Sequence, residues 1–334
     1  MLVCAPPGNR RGFSLERCPL HNMRRHSASP SALKARSLAW IVGGSRQRGL
    51  GASFAWVGWK DSNSQPKMTD LKLQNQVALV TGGSSGIGAA IAQELGRQGT
   101  HVAVNYHSDE SGANQVADAI RQSGGQALVI QGDVSQEAAV TEMFSKVWQT
   151  WGALDIMVAN AGIQKDARFS QMSLQEWQKV LDVNLTGQFL CARHAVSVFQ
   201  HQGNRGVSKA NGKILCVSSV HQDIPWANHV NYAASKGGLE LLMKSLAQEV
   251  ASEKIRVNAI APGAIKTDIN REVWEDEAKR DEVLELIPYG RWGEPEDIGK
   301  AAAWILSDEA DYMVGSTLYI DGGMMLYPSF RHSG

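Results

Sequence analysis

Seven short apolar runs punctuate the chain from residue 70 onward: Val77–Val80, Val102–Val104, Leu128–Ile130, Leu154–Ala159, Ile214–Val217, Ile255–Ile260 and Leu318–Ile320. Each is too short for a helix and nearly continuous rather than alternating, the pattern of strands covered on both faces. Between them lie longer segments with helical spacing of apolar positions: Ile87–Arg97, Glu110–Ser123, Gln136–Trp151, Leu174–Phe199, Tyr232–Ser252 and Glu296–Leu306. The alternation is unbroken between residues 75 and 321. It predicts one α/β domain over 68–334, a doubly wound parallel sheet of seven strands with helices on both sides. Asp268–Ile287 reads as a further helical segment, charged on its solvent side and suited to a lid.

Residues 1–67 break this pattern. They show no sustained period and carry 11 Lys and Arg against 2 Asp and Glu, a net of +9. The whole chain of 334 residues is formally neutral, so 68–334 carries −9. The first segment is expected to be a basic, disordered extension. Two readings stay open for it: an Arg- and Ser-rich targeting segment, or an upstream extension ahead of a start at Met68. The acidic body offers no footprint for nucleic acid, and no run approaches the ~18 apolar residues of a membrane-spanning helix. Cys4, Cys18, Cys191 and Cys216 have no metal-ligand spacing, so no metal site is expected, and the thiols read as reduced in a cytoplasmic setting. Cys191 and Cys216 sit in apolar runs and read as small buried hydrophobes.

The first predicted strand runs into Gly82-Gly83-Ser84-Ser85-Gly86-Ile87-Gly88 and then into a helix. Such a turn lets backbone amides approach a pyrophosphate at a helix N-terminus, which makes the sheet Rossmann-like. The spacing is G-x-x-x-G-x-G, not the usual G-x-G-x-x-G. Asp133, Asn160-Ala161-Gly162 and Pro262-Gly263 follow later strands, at the carboxyl rim where open parallel sheets bind ligands. Tyr232 and Lys236 share a helix face at i and i+4, with Ser219 at the end of the preceding strand. A phenol near pKa 10 is a weak base at neutral pH. The adjacent ammonium is expected to lower it.

Taken together, Thr81-Gly82-x-x-x-Gly86-Ile87-Gly88, Asn160-Ala161-Gly162, Asn184, Ser219, Tyr232-x-x-x-Lys236 and Pro262-Gly263 resemble the short-chain dehydrogenase/reductase family across residues 72–324. Within it, Ser218–Trp226, Tyr232–Gly238 and Asp321–Phe330 are similar to the glucose 1-dehydrogenase branch. The resemblance implies that Tyr232 is the general base in alcohol oxidation, that Ser219 holds the reacting oxygen, that Lys236 holds the nicotinamide ribose, and that Asn184 holds a relay water. It implies phosphate contacts at Gly82, Ser84, Gly86, Ile87 and Gly88, and adenine contacts at Asp133 and Val134. Asn160 and Gly162 would lie near the ribose, Thr267 near the carboxamide, and Pro262 and Gly263 at the cofactor rim.

The second strand ends in Val104-Asn105-Tyr106-His107-Ser108, with neither the acid that selects NAD nor the arginine that welcomes the 2′-phosphate of NADP. His107 gives a partly positive contact, so use of both cofactors is expected, leaning to NADP. Substrate contacts are expected from Ser219, Gln164, His221 and Tyr232, with Trp226, Asn228 and His229 crowding the same loop. Gln164 stands where the glucose-oxidising pattern has a glutamate. The expected reaction is oxidation of glucose or a related sugar to its lactone. The alternatives are reduction of a 3-oxoacyl thioester, or a non-catalytic nucleotide-binding scaffold. The family's usual homotetramer is expected, and Gln200–Gly212 reads as a surface loop without an assigned role.

Overall fold

In the computed structural model, which describes residues 71–326, all seven apolar runs are strands: β1 (Val77–Val80), β2 (His101–Tyr106), β3 (Gln126–Gln131), β4 (Ile156–Ala159), β5 (Gly212–Val217), β6 (Ile255–Pro262) and β7 (Thr317–Ile320). They form one parallel sheet in the order β3-β2-β1-β4-β5-β6-β7. The α-helices are α1 (Gly86–Arg97), α2 (Glu110–Gln122), α3 (Glu137–Trp151), α4 (Leu174–Leu181), α5 (Gly187–Gln202), α6 (Val230–Val250), α7 (Arg271–Trp274), α8 (Glu277–Glu285) and α9 (Pro295–Leu306).

Strand geometry explains the two cores. Successive side chains point to opposite faces, so Val77 and Leu79 of β1 join the cluster under α3, α5 and α6, while Ala78 and Val80 join the one under α1, α2 and α9. Central strands buried on both sides favour apolar residues, and β1, β4, β5 and β6 are buried throughout, with Lys213, Arg256 and Asn258 the polar exceptions in β5 and β6. The strand order reverses between β1 and β4, which opens a crevice above their carboxyl ends.

Three expectations are corrected. The predicted helix Leu174–Phe199 is two helices joined by a π-helical turn, Asp182–Thr186. One extra residue in a turn barely shifts the apolar period, so the pattern cannot reveal it. The predicted Asp268–Ile287 helix is a 3-10 turn, Asp268–Asn270, followed by the short α7 and α8. The loop expected over Gln200–Gly212 is narrowed to residues 203–211, because α5 runs to Gln202 and β5 begins at Gly212, and it is tied down where Arg205 pairs with Asp155 and Ser208 Oγ donates to Asp308 at 2.6 Å.

Cys191 and Cys216 are buried, and burial pushes both thiols up to about 12, as expected of structural cysteines. The basic extension 1–67, with Cys4 and Cys18, lies outside the described residues. Among the described residues no helix is long and apolar enough to cross a membrane, and no cluster of His, Cys, Asp and Glu is placed to hold a metal.

Candidate active site

The turn after β1 is built from backbone conformations that L side chains avoid. Gly82 and Gly86 have φ of +60° and +53°. Gly88 is held by space rather than by φ: a Cβ there would lie 2.1 Å from the Gly82 carbonyl oxygen and 2.5 Å from Asn160 Nδ2. Asn160 locks the turn from the β4 side, its Nδ2 donating to the carbonyls of Thr81 at 2.8 Å and Gly82 at 3.0 Å. Asn105 locks it from the β2 side, its Oδ1 accepting from the Gly82 amide at 3.2 Å. Helix α1 starts in this turn with no side-chain cap and no acid in its first turn, so its leading amides are left for an external anion.

A cavity of roughly 430 Å³ runs from this turn to Tyr232, within the usual range of ligand sites. Its wall contains the expected Gly82, Ser84, Gly86, Ile87, Gly88, His107, Asp133, Val134, Asn160, Gly162, Gln164, Tyr232, Lys236 and Thr267. It also contains residues that the sequence reading missed, among them Asn105, Asp109, Lys179 and Ser218. Asp109 caps α2, accepting from the Gly112 amide at 3.0 Å, and brings a carboxylate beside His107. An acid three residues past the Asn105-Tyr106 strand end was the available signal. At Asp133, burial raises the carboxyl but the Ser135 amide and hydroxyl outweigh it, and the net shift is downward. The glycine cradle, the free helix amides and the continuous cavity fit a dinucleotide.

Pro262 and Gly263 do not line this cavity. They close the end of β6 against the following segment, where a Cβ on Gly263 would lie 2.8 Å from Asp321 Cα. Ser219 and His221 are likewise set back from the wall, but Ser219 reaches Tyr232 by its side chain.

Tyr232 sits in the first turn of α6, with Lys236 one turn on. The Lys236 amine is buried, donates to the Val217 carbonyl at 2.9 Å and lies 5.5 Å from the Tyr232 ring centre. Burial pushes Lys236 down to about 8. Burial also raises Tyr232, and hydrogen bonds from the Ser219 and Gln164 side chains oppose it without reversing it. The phenol is thus shifted upward by burial, opposite to the expected depression by Lys236. Desolvation disfavours the charged forms of both groups. The groups that stabilise the phenolate are the neutral Ser219 and Gln164.

Asn184 lies in the π turn, fully buried. Its Oδ1 accepts from the Ile163 amide at 2.8 Å, and its Nδ2 donates to the Ile163 carbonyl at 2.9 Å and to Ser235 Oγ at 3.3 Å. It is absent from the cavity wall and fixes the backbone one residue before Gln164. Beyond Ser219, His221 Nδ1 contacts the Ile224 carbonyl at 3.1 Å, and a carbonyl only accepts, so Nδ1 carries a proton. Burial lowers the His221 pKa against the effect of that hydrogen bond.

A family model described as enoyl-(acyl carrier protein) reductase matches residues 82–325. The chain is 46% identical over 259 residues to 3beta-hydroxysteroid dehydrogenase 1 of Eggerthella lenta, covering 78% of this chain and 97% of that protein. It is 43% identical over 258 residues to glucose 1-dehydrogenase 2 of Bacillus subtilis, covering 77% and 97%. Among solved structures, a candidate 2-deoxy-D-gluconate 3-dehydrogenase from Agrobacterium tumefaciens with bound NADP aligns with a TM-score of 0.69 at 34% identity, over 77% of this chain and 98% of that one. A short-chain type dehydrogenase/reductase from Mycobacterium marinum aligns at 0.70 and 34%, over 77% and 99%.

Proposed function

This chain belongs to the short-chain dehydrogenase/reductase family, and from that premise we propose that it oxidises a ring hydroxyl of glucose or a close relative to the lactone. The observation that carries the reading is the phenol of Tyr232, flanked by the Ser219 and Gln164 side chains at the end of a cavity that begins in the glycine cradle. When bound, a nicotinamide dinucleotide accepts the hydride from the carbinol carbon. The chain's own groups move the proton. Tyr232 Oη takes it from the substrate hydroxyl, while Ser219 and Gln164 stabilise the charge that passes through the phenol. Lys236, anchored on the Val217 carbonyl, borders the same cavity and holds the ribose. Asn184 fixes the Ile163 backbone, and through it the approach of Gln164.

A sugar is favoured by Gln164 and Tyr232 in the cavity wall with Ser219 just behind them, since a polyhydroxyl substrate needs several polar partners. A steroid alcohol is the second reading, favoured by Ile269, which lines the cavity yet is 61% exposed. Both nicotinamide cofactors are proposed to serve, leaning to NADP, with His107 drawing the 2′-phosphate and Asp109 limiting that preference. An absorbance assay for reduced nicotinamide, run on sugars, polyols and 3β-hydroxysteroids with NAD and NADP, tests all of this. Turnover of glucose or a related sugar with both cofactors is the expected result. Turnover of steroids alone would transfer the assignment to the second reading, and loss of more than about tenfold with NADP relative to NAD would remove dual use.

A further inference from the structure

The segment after β4 carries Gln164, and the loop before α6 leads into Tyr232. Three contacts join them. The Ala167 amide donates to the Asn228 carbonyl at 3.0 Å, and Asn231 Nδ2 donates to the Lys165 carbonyl at 2.9 Å. The third is His229 Nε2, 3.0 Å from Asp166 Oδ1, and it alone contains titratable groups. The other ring nitrogen of His229, Nδ1, lies 2.9 Å from the Ala227 carbonyl. A carbonyl and a carboxylate can only accept, so both contacts are hydrogen bonds only when both nitrogens carry protons.

The same imidazole is stacked on Trp226, with ring centres 3.5 Å apart and planes 5° apart. His221 stacks on that indole as well, at 4.2 Å and 16°. Two imidazoles this close to one indole centre cannot share a face without overlapping, so they sandwich it. Trp226 in turn meets the Tyr232 ring edge-on at 6.1 Å. The titratable groups around His229 are thus Asp166 from the β4 side, His221 across the indole and Tyr232 on α6. Of these, Asp166 alone offers it an opposite charge.

From this geometry we infer that Asp166 and His229 form a clamp that holds Gln164 against Tyr232 and thereby sets substrate affinity. Neither residue lines the cavity, so both are positioning residues. The inference rests on the dehydrogenase reading above, in which Gln164 and Tyr232 meet the substrate. Replacing either side chain removes this contact. The two backbone-linked contacts remain, so the loops loosen rather than separate.

The test compares wild type, His229→Gln and Asp166→Asn on the alcohol that wild type oxidises best. At pH 6 both variants are expected to show a KM for that alcohol raised about three- to tenfold, with kcat within about twofold and an unchanged KM for cofactor. A variant KM equal to that of wild type overturns the clamp. Asp166 is half-exposed, so its variant keeps the test open if His229→Gln folds poorly. Hydrogen exchange of the Ala167 amide in ligand-free protein is a second readout. It is expected to quicken in both variants at pH 6 while β1 and β4 amides stay protected, and unchanged exchange overturns the clamp. Absence of any alcohol oxidation by wild type would sink the dehydrogenase reading, with the exchange measurement still judging the clamp.

Discussion

Two lysines are buried in this molecule at opposite ends of the sheet. Lys236, above the carboxyl ends, is 3% exposed, and Lys213, at the amino end of β5, is 1% exposed. Burial pushes each down to about 8. Their surroundings differ. Lys213 donates to Gln76 Oε1 at 2.6 Å and faces Asp308 at 3.9 Å, inside a network in which Asp155 binds Arg205 and the Val77 amide. Lys236 has one backbone carbonyl as partner and borders the cavity beside an aromatic ring. A perturbed titration alone therefore does not mark a functional group. What separates the two is whether the amine is enclosed by protein partners or left facing a space that a ligand can enter.

The comparison can be broken most decisively at the phenol that Lys236 accompanies. Tyr232→Phe is expected to lower kcat by about 10³-fold or more while cofactor affinity, read by fluorescence titration, is retained. A variant with wild-type turnover would leave the upper lysine with no more chemistry than the lower one. Next in size, Lys236→Met should cost about 10²-fold in turnover with a modest change in Tm. Lys213→Met should leave turnover within about twofold and lower stability by about 2 kcal/mol, because Gln76 and Asp308 lose their buried partner. Equal activity losses in both would erase the distinction.

The pH dependence sharpens it further. Tyr232 is raised by burial, so alcohol oxidation should quicken with rising pH, by up to about tenfold per unit, and carbonyl reduction should show the opposite slope. A flat profile for oxidation in steady-state rates would contradict a phenol base. The smallest effect concerns stability. Lys213 has a folded pKa of about 8 against an ordinary 10.5, so between these values the unfolded chain binds more protons and stability rises with pH. The stability margin of wild type over Lys213→Met should therefore widen from pH 8 to pH 10 by about 2 kcal/mol. Denaturant titrations at the two pH values measure it, and a margin that shrinks would mean that Lys213 is not held in a desolvated site.

Some of the site was legible because its logic is local. Tyr232 and Lys236 are one helical turn apart, and Gly82, Gly86 and Gly88 shape a single turn, so their spacing along the chain nearly fixes their geometry. Asn105, Asp109 and Lys179 were not legible as cavity residues. They come from the end of β2, the cap of α2 and the side of α4, and only the strand order brings them to one wall. The π turn at Asp182–Thr186 escaped because its apolar period imitates a continuous helix.

What the sequence determined by itself, then, was the alternation of buried strands with amphipathic helices, the glycine bend and the paired Tyr and Lys, since each depends on neighbours within a few residues. The tertiary structure alone decided that Lys213 would meet Gln76 across 137 residues of chain, that burial would raise the Tyr232 phenol, and that Ser219 and Gln164 would be the groups opposing that rise. Burial and long-range hydrogen bonding depend on which surfaces the folded chain brings together, and that information exists only once the sheet has closed under its helices.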